Sequence, residues 1–221
     1  MKAKDILLFI SAAVVIFSGV SFAGPREGKK AFDAGRCGQC HETQGPARGK
    51  TIRDQLARKG PELWYAGGKF RAGFIEAWLK DPVPIRPMQY YSLTEKNSGS
   101  HPRLSGNEAA EVAAYLMSLT AADASAGTYG IQAVDNKTGR AVFMKKQSCY
   151  GCHRVKARGN AAGGLTGPSF IGAALRLNPD WIYAYLANPR AFKPVKDMPN
   201  YDGILTDDEM RSVAAYIGSL D

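Results

Sequence analysis

One five-residue string occurs twice in the chain, as Cys37-Gly38-Gln39-Cys40-His41 and as Cys149-Tyr150-Gly151-Cys152-His153. The two copies hold all 4 Cys and two of the 3 His. Four cysteines in 221 residues exclude a disulfide-stapled mini-fold, and so few donors argue against a metal site gathered from scattered ligands. The length suits one or two domains with cores of their own. With 45% apolar and 22% charged residues, the chain is neither disordered nor a polytopic membrane protein.

The strings belong to a longer internal repeat. Leu104-Ser105-Gly106-Asn107-Glu108 leads into Val112-Ala113-Ala114-Tyr115-Leu116-Met117-Ser118-Leu119, and 101 positions later Leu205-Thr206-Asp207-Asp208-Glu209 leads into Val213-Ala214-Ala215-Tyr216-Ile217-Gly218-Ser219-Leu220. Each copy opens with a capping box, Ser105 with Glu108 and Thr206 with Glu209. Each then carries an apolar stripe at helical spacing: Val112, Tyr115, Leu116 and Leu119, against Val213, Tyr216, Ile217 and Leu220. Earlier in each half, Gly60-Pro61 and Gly167-Pro168 are followed 21 residues after the proline by Pro82 and Pro189. The segments just before those prolines, 74–79 and 181–186, read as short helices that the proline stops. Gly28 and Phe32, and likewise Gly139 and Phe143, lie in helical stretches ahead of the strings.

No strand-like alternation of useful length appears, so the fold class is all-α. The stretch from about 120 to 136 is rich in Ala, Ser and Gly and reads as a linker. The expected organisation is therefore a leader over 1–23, a first domain over 24–122 and a second over 123–221.

Cys-x-x-Cys-His is the attachment string for c-type haem. Two thiols three positions apart reach the two vinyl groups on one porphyrin edge as thioethers, and the adjacent His is held under the iron. A thioredoxin-like pair would sit at a strand–helix junction, which the pattern lacks. A zinc cluster would bring the pairs together, whereas 112 positions separate Cys37 from Cys149 and each lies in its own repeat copy. Two haem c groups are expected, on Cys37, Cys40 and His41 and on Cys149, Cys152 and His153.

A carrier iron with His on one face often takes Met on the other. Met88 follows His41 by 47 positions and Met198 follows His153 by 45. Both lie in proline-marked loops, and each has a Tyr three residues on, Tyr91 and Tyr201. Met117, Met144 and Met210 fall outside these loops and read as packing or surface residues. Between Met88 and the last helix the first half carries residues 89–103, where the second has only 199–204. That longer segment holds the third histidine, His101, which reads as a surface residue of a polar insertion, with a sixth-ligand role as the alternative.

Each half resembles a class I cytochrome c domain, and the tandem resembles a periplasmic di-haem cytochrome c over residues 26–221. The resemblance implies axial pairs His41/Met88 and His153/Met198. It also implies that the carbonyls of Pro61 and Pro168 accept a hydrogen bond from the proximal imidazoles, and that Gly28, Phe32 and Tyr115, like Gly139, Phe143 and Tyr216, pack the first helix on the last.

Lys2 and Lys4, the apolar run 6–20 and Ser21-Phe22-Ala23 describe a signal peptide cleaved after Ala23, which implies a periplasmic protein. The alternative is an uncleaved anchor over 6–20 facing the periplasm. The formal charge of +9 becomes +8 after cleavage, 27 basic against 19 acidic residues. Export argues against nucleic acid. Lys145, Lys146, Arg154, Lys156 and Arg158 flank the second string and suit redox partner proteins with acidic docking faces. The expected function is single-electron transfer between periplasmic or membrane-bound partners, without substrate chemistry. The alternatives are a haem subunit of a membrane respiratory complex and a peroxidase-like di-haem enzyme with one labile axial ligand.

Overall fold

The computed structural model describes residues 24–89, 92, 94–121, 127–195 and 198–221. The leader and its cleavage point, Tyr91, and part of the linker lie outside the described residues. Among those described, no helix is long and apolar enough to cross a membrane.

The first half runs α1 (Pro25–Ala34), α2 (Ile52–Leu56), α3 (Ala66–Lys69), α4 (Phe74–Lys80) and α5 (Gly106–Met117). The second runs α6 (Lys137–Ala141), a π turn (Val142–Lys146), a hairpin of β1 (Val155–Ala157) and β2 (Asn160–Ala162), α7 (Ala173–Arg176), α8 (Pro179–Ala187), α9 (Pro189–Phe192) and α10 (Asp207–Ile217). The hairpin departs from the all-helical expectation. Its strands pair antiparallel with Val155 opposite Ala162, and three-residue strands are too short to show alternation. Its turn uses two left-handed residues, Arg158 (φ 49) and Gly159 (φ 82), the backbone that tight hairpins require.

The repeat helices start as their sequences indicate. Glu108 accepts from the Ser105 backbone N–H at 3.1 Å and Glu209 from that of Thr206 at 3.0 Å. Pro189 does more than end α8. It occupies the first turn of α9, where its missing N–H costs nothing, and Asn188 caps that turn by accepting from Ala191 N at 3.3 Å.

In each half the first helix crosses the last at a glycine. A Cβ on Gly28 would strike the carbonyl of Glu111, and one on Gly139 would strike that of Ser212. The close approach seats Phe32 edge-on to Tyr115 at 5.4 Å between centroids, and Phe143 on Tyr216 at 5.7 Å. Burying such aromatic pairs contributes about 0.5–1.5 kcal/mol each beyond their area.

The halves also meet directly. Phe70 and Leu177 form an antiparallel bridge, flanked by Arg71 N–H to Arg176 O at 3.0 Å and Asn178 N–H to Lys69 O at 2.9 Å. Around it, Tyr65 stacks on Trp181 at 5.8 Å and Trp64 on Phe192 at 6.1 Å, so first-half aromatics sit in the core of the second half. Residues 127–135 are packed as well, contrary to a free linker. Ile131 N–H reaches the buried carboxylate of Asp180 at 2.9 Å and Val134 N–H reaches Ala215 O at 3.2 Å.

Candidate functional site

Each Cys-x-x-Cys-His string forms the same turn. A left-handed residue enters it, Arg36 at φ 54 and Ser148 at φ 48, and a short 3-10 turn follows over Cys37–Gln39 and Cys149–Gly151. The first thiol residue's carbonyl then accepts from the histidine N–H, at 3.0 Å in the first half and 3.1 Å in the second. This closes Cys, Cys and His onto one small turn. All four thiols are free; Cys40 and Cys152 are exposed, Cys37 and Cys149 half-buried. Burial pushes the Cys37 and Cys149 thiols up, the opposite of the thiolate activation that a dithiol redox motif needs. Among the described residues no three His, Cys, Asp or Glu side chains gather as a metal-binding group.

The imidazoles are held alike. His41 Nδ1 donates to Pro61 O and His153 Nδ1 to Pro168 O, both at 2.8 Å. A carbonyl can only accept, so Nδ1 carries the proton and Nε2 keeps its lone pair. Burial pushes both histidines below their ordinary range, which keeps them neutral. Gly60 and Gly167 make the proline carbonyl's approach feasible: a Cβ on either would lie 2.7 Å from the imidazole Cε1. In the second half, Arg176, 4% exposed, donates to Ser169 O and braces the loop next to Pro168.

The methionine loops differ. In the second half, buried Tyr201 lies beside Cys149, and its hydroxyl is pushed up to about 12, chiefly by burial. Met198 and Cys149 border the same core. In the first half, Met88 bridges to Lys96, with Gln89 N–H to Glu95 O and Asn97 N–H to Pro87 O, both at 2.8 Å. His101 is half-buried, and its ring stands 6.0 Å from the His41 ring between centroids.

A porphyrin with two vinyl groups and one iron fits this donor set: paired free thiols on a rigid turn, and a neutral imidazole with Nε2 open. Residues 137–221 match the Cytochrome c family. That match takes in the second turn, His153, Pro168 and Met198, and it supports a c-type cytochrome with covalently bound haem c and a role in electron transfer. No curated protein matches the chain. Outside the cytochrome c match, residues 24–136 include the first copy of the turn, with the same left-handed entry and the same imidazole–carbonyl bond.

The sequence offered no cue to Arg36 and Ser148 as left-handed residues, nor to the inter-half aromatics. The two Gly-Pro pairs were visible as a repeated motif, but their role as the surface beneath the imidazole is a matter of contact distance.

Proposed function

We propose that the chain is a di-haem c-type cytochrome that passes single electrons between redox proteins. The observation that carries this reading is the duplicated imidazole–proline bond, 2.8 Å in both halves. Outside a haem site, two separate turns have no evident reason to present the same neutral tautomer with Nε2 open.

Bound haem supplies the one-electron iron couple. The chain's own residues do the rest. Cys37 and Cys40, and Cys149 and Cys152, would tether the two haems, and His41 and His153 would hold the irons through the free Nε2. The Pro61 and Pro168 carbonyls fix ring orientation and strengthen the imidazoles as donors. Met198 would supply the second iron ligand in the second half, and Met88 or His101 in the first. The inter-half contact, in which Phe70 pairs with Leu177, holds the two sites in one frame.

The setting we infer is the periplasm, after cleavage at Ala23, or the periplasmic face of a membrane respiratory complex if residues 6–20 remain. For docking, Lys145, Lys156 and Arg158 are exposed and make no ion pair among the described residues, whereas Lys146 is engaged by Glu209 at 2.5 Å. The hairpin carrying Lys156 and Arg158 returns to the second turn through Gly164 N–H to Tyr150 O at 2.8 Å. This basic edge suits an acidic protein face.

The deciding experiment is a pyridine haemochrome count with the intact mass of the exported protein. Two haems per chain and loss of the leader mass are expected. One haem refutes the di-haem reading, and a retained leader favours the anchored form.

A further inference from the structure

His101 is the one histidine that this reading leaves without a task. It stands in the first-half segment with no counterpart in the second. Its ring centroid is 6.0 Å from that of His41, with the planes inclined by 48°. Two imidazoles that bind one metal through Nε2 from opposite sides, at about 2 Å each, hold their centroids about 6 Å apart. The observed separation leaves room for one metal between the rings and not much more.

The protonation pattern agrees. His101 Nδ1 faces Pro102 O at 2.8 Å, as His41 Nδ1 faces Pro61 O at 2.8 Å. Each ring therefore spends its N–H on a proline carbonyl and keeps Nε2 as a lone-pair donor, the state a metal ligand needs. The ring is also oriented from the side. Trp78 meets it edge-on at 4.6 Å and 61°, and the Trp78 indole is itself anchored to Val83 O at 2.8 Å.

The chain's own repeat supports the same assignment. Ahead of the last helix the second half reads Met198-Pro199, then Leu205-Thr206; the first half reads His101-Pro102, then Leu104-Ser105. A ligand-type residue followed by proline precedes the capped helix in both. Met88 is followed by Gln89, and its backbone is tied into the ladder with Lys96. The segment after that ladder is shaped to bring His101 inward. Asn97 Nδ2 donates to Arg86 O at 3.1 Å, Gly99 N–H reaches Asn97 Oδ1 at 3.0 Å, and Gly99 takes the left-handed φ of 72°.

We propose that His101, rather than Met88, is the second axial ligand of the first-half iron, so that the chain carries one bis-histidine haem and one His/Met haem. This rests on the di-haem reading above. Replacing a thioether by an imidazole removes the ligand that raises the potential, so the first-half haem is the more reducing of the two.

The test is spectroscopy and a redox titration of the purified holoprotein, beside its haemochrome count. Two haems are expected, with a methionine-to-iron charge-transfer band integrating to one of them and two separate potentials. His101→Ala opens one haem to carbon monoxide and leaves that band intact, and Met88→Ala changes neither haem. His101→Met extends the band to both haems and raises the lower potential, which keeps the test decisive should the alanine variant fail to mature. Two haems with a band already integrating to both in the unsubstituted protein overturn the assignment alone. So does a first-half haem that opens in Met88→Ala but not in His101→Ala. A count below two overturns the di-haem reading and this assignment with it.

Discussion

Phe70 and Leu177 each stand nine residues after the proline whose carbonyl holds the histidine of their own half, and they pair with each other. The flanking bonds are reciprocal in the same sense: Arg71 reaches Arg176 while Asn178, the counterpart of Arg71, reaches Lys69, the counterpart of Arg176. The two halves therefore touch through the same short stretch of backbone, related by an approximate two-fold axis.

Asn178 ties this contact to the start of α8. Its side chain donates to Gly68 O at 2.9 Å, while its Oδ1 accepts from Asp180 N at 3.2 Å. Asn178→Ala loses a cap and a buried inter-half bond together and should cost about 1–2 kcal/mol. Urea unfolding measures it. An unchanged midpoint would mean that the contact adds nothing to stability.

Gly167 lies beneath the His153 imidazole, with 2.7 Å between its would-be Cβ and both Cε1 and Nδ1. Gly167→Ala should push the Pro168 carbonyl away, weaken His153 as a donor and raise the potential of one haem. In a redox titration the other haem should keep its potential. A shift in neither would show that the carbonyl does not tune the iron.

Met198 borders the same core as Cys149. Met198→Ala should open one haem to carbon monoxide and abolish the methionine-to-iron band. Retention of that band would place the thioether elsewhere.

Acid should loosen the helix starts first. Hydrogen bonds from Ser105, Lys146 and Tyr183 hold the carboxyls of Glu108, Glu209 and Asp207, respectively, below their ordinary range. Their folded values lie under their unfolded ones, so their contribution is complete above the usual carboxylate range, about pH 4, and is lost as pH falls through it. Urea midpoints taken downward from pH 7 should decline below about pH 4. A midpoint that stays level to about pH 3 would contradict this.

Charge reversal at Lys156 on the exposed hairpin should slow association with an acidic redox partner several-fold at low salt, and added salt should erase the difference. Stopped-flow rates across ionic strength read both effects. Rates indifferent to salt would remove the docking role of this edge.

The features legible in the sequence are those carried by periodicity or by a fixed string. The capping glutamates, the Gly28 and Gly139 crossings with their Phe–Tyr partners, and the carbonyls of Pro61 and Pro168 all stand where the repeat and its family resemblance put them. The rest depends on contacts distant along the chain. A one-residue bridge such as Phe70 with Leu177 leaves no pattern, and neither does a three-residue strand. Residues 127–135 look like a linker by composition, yet Tyr129 and Ile131 border the second-half core, and Ile131 and Val134 add backbone bonds to distant partners. His101 reads as a polar surface residue because its neighbours in sequence are polar; the neighbours that matter, His41 and Trp78, are 60 and 23 positions away.

A contact built from equivalent residues on both sides is self-complementary, the geometry by which two copies of one subunit form a closed dimer. Between separate chains, its occupancy would rise and fall with protein concentration. Joined in tandem, each half meets its mate at an effective concentration on the order of millimolar, whatever the dilution outside. The covalent connection thus turns what would be an association equilibrium into a permanent one-to-one pairing.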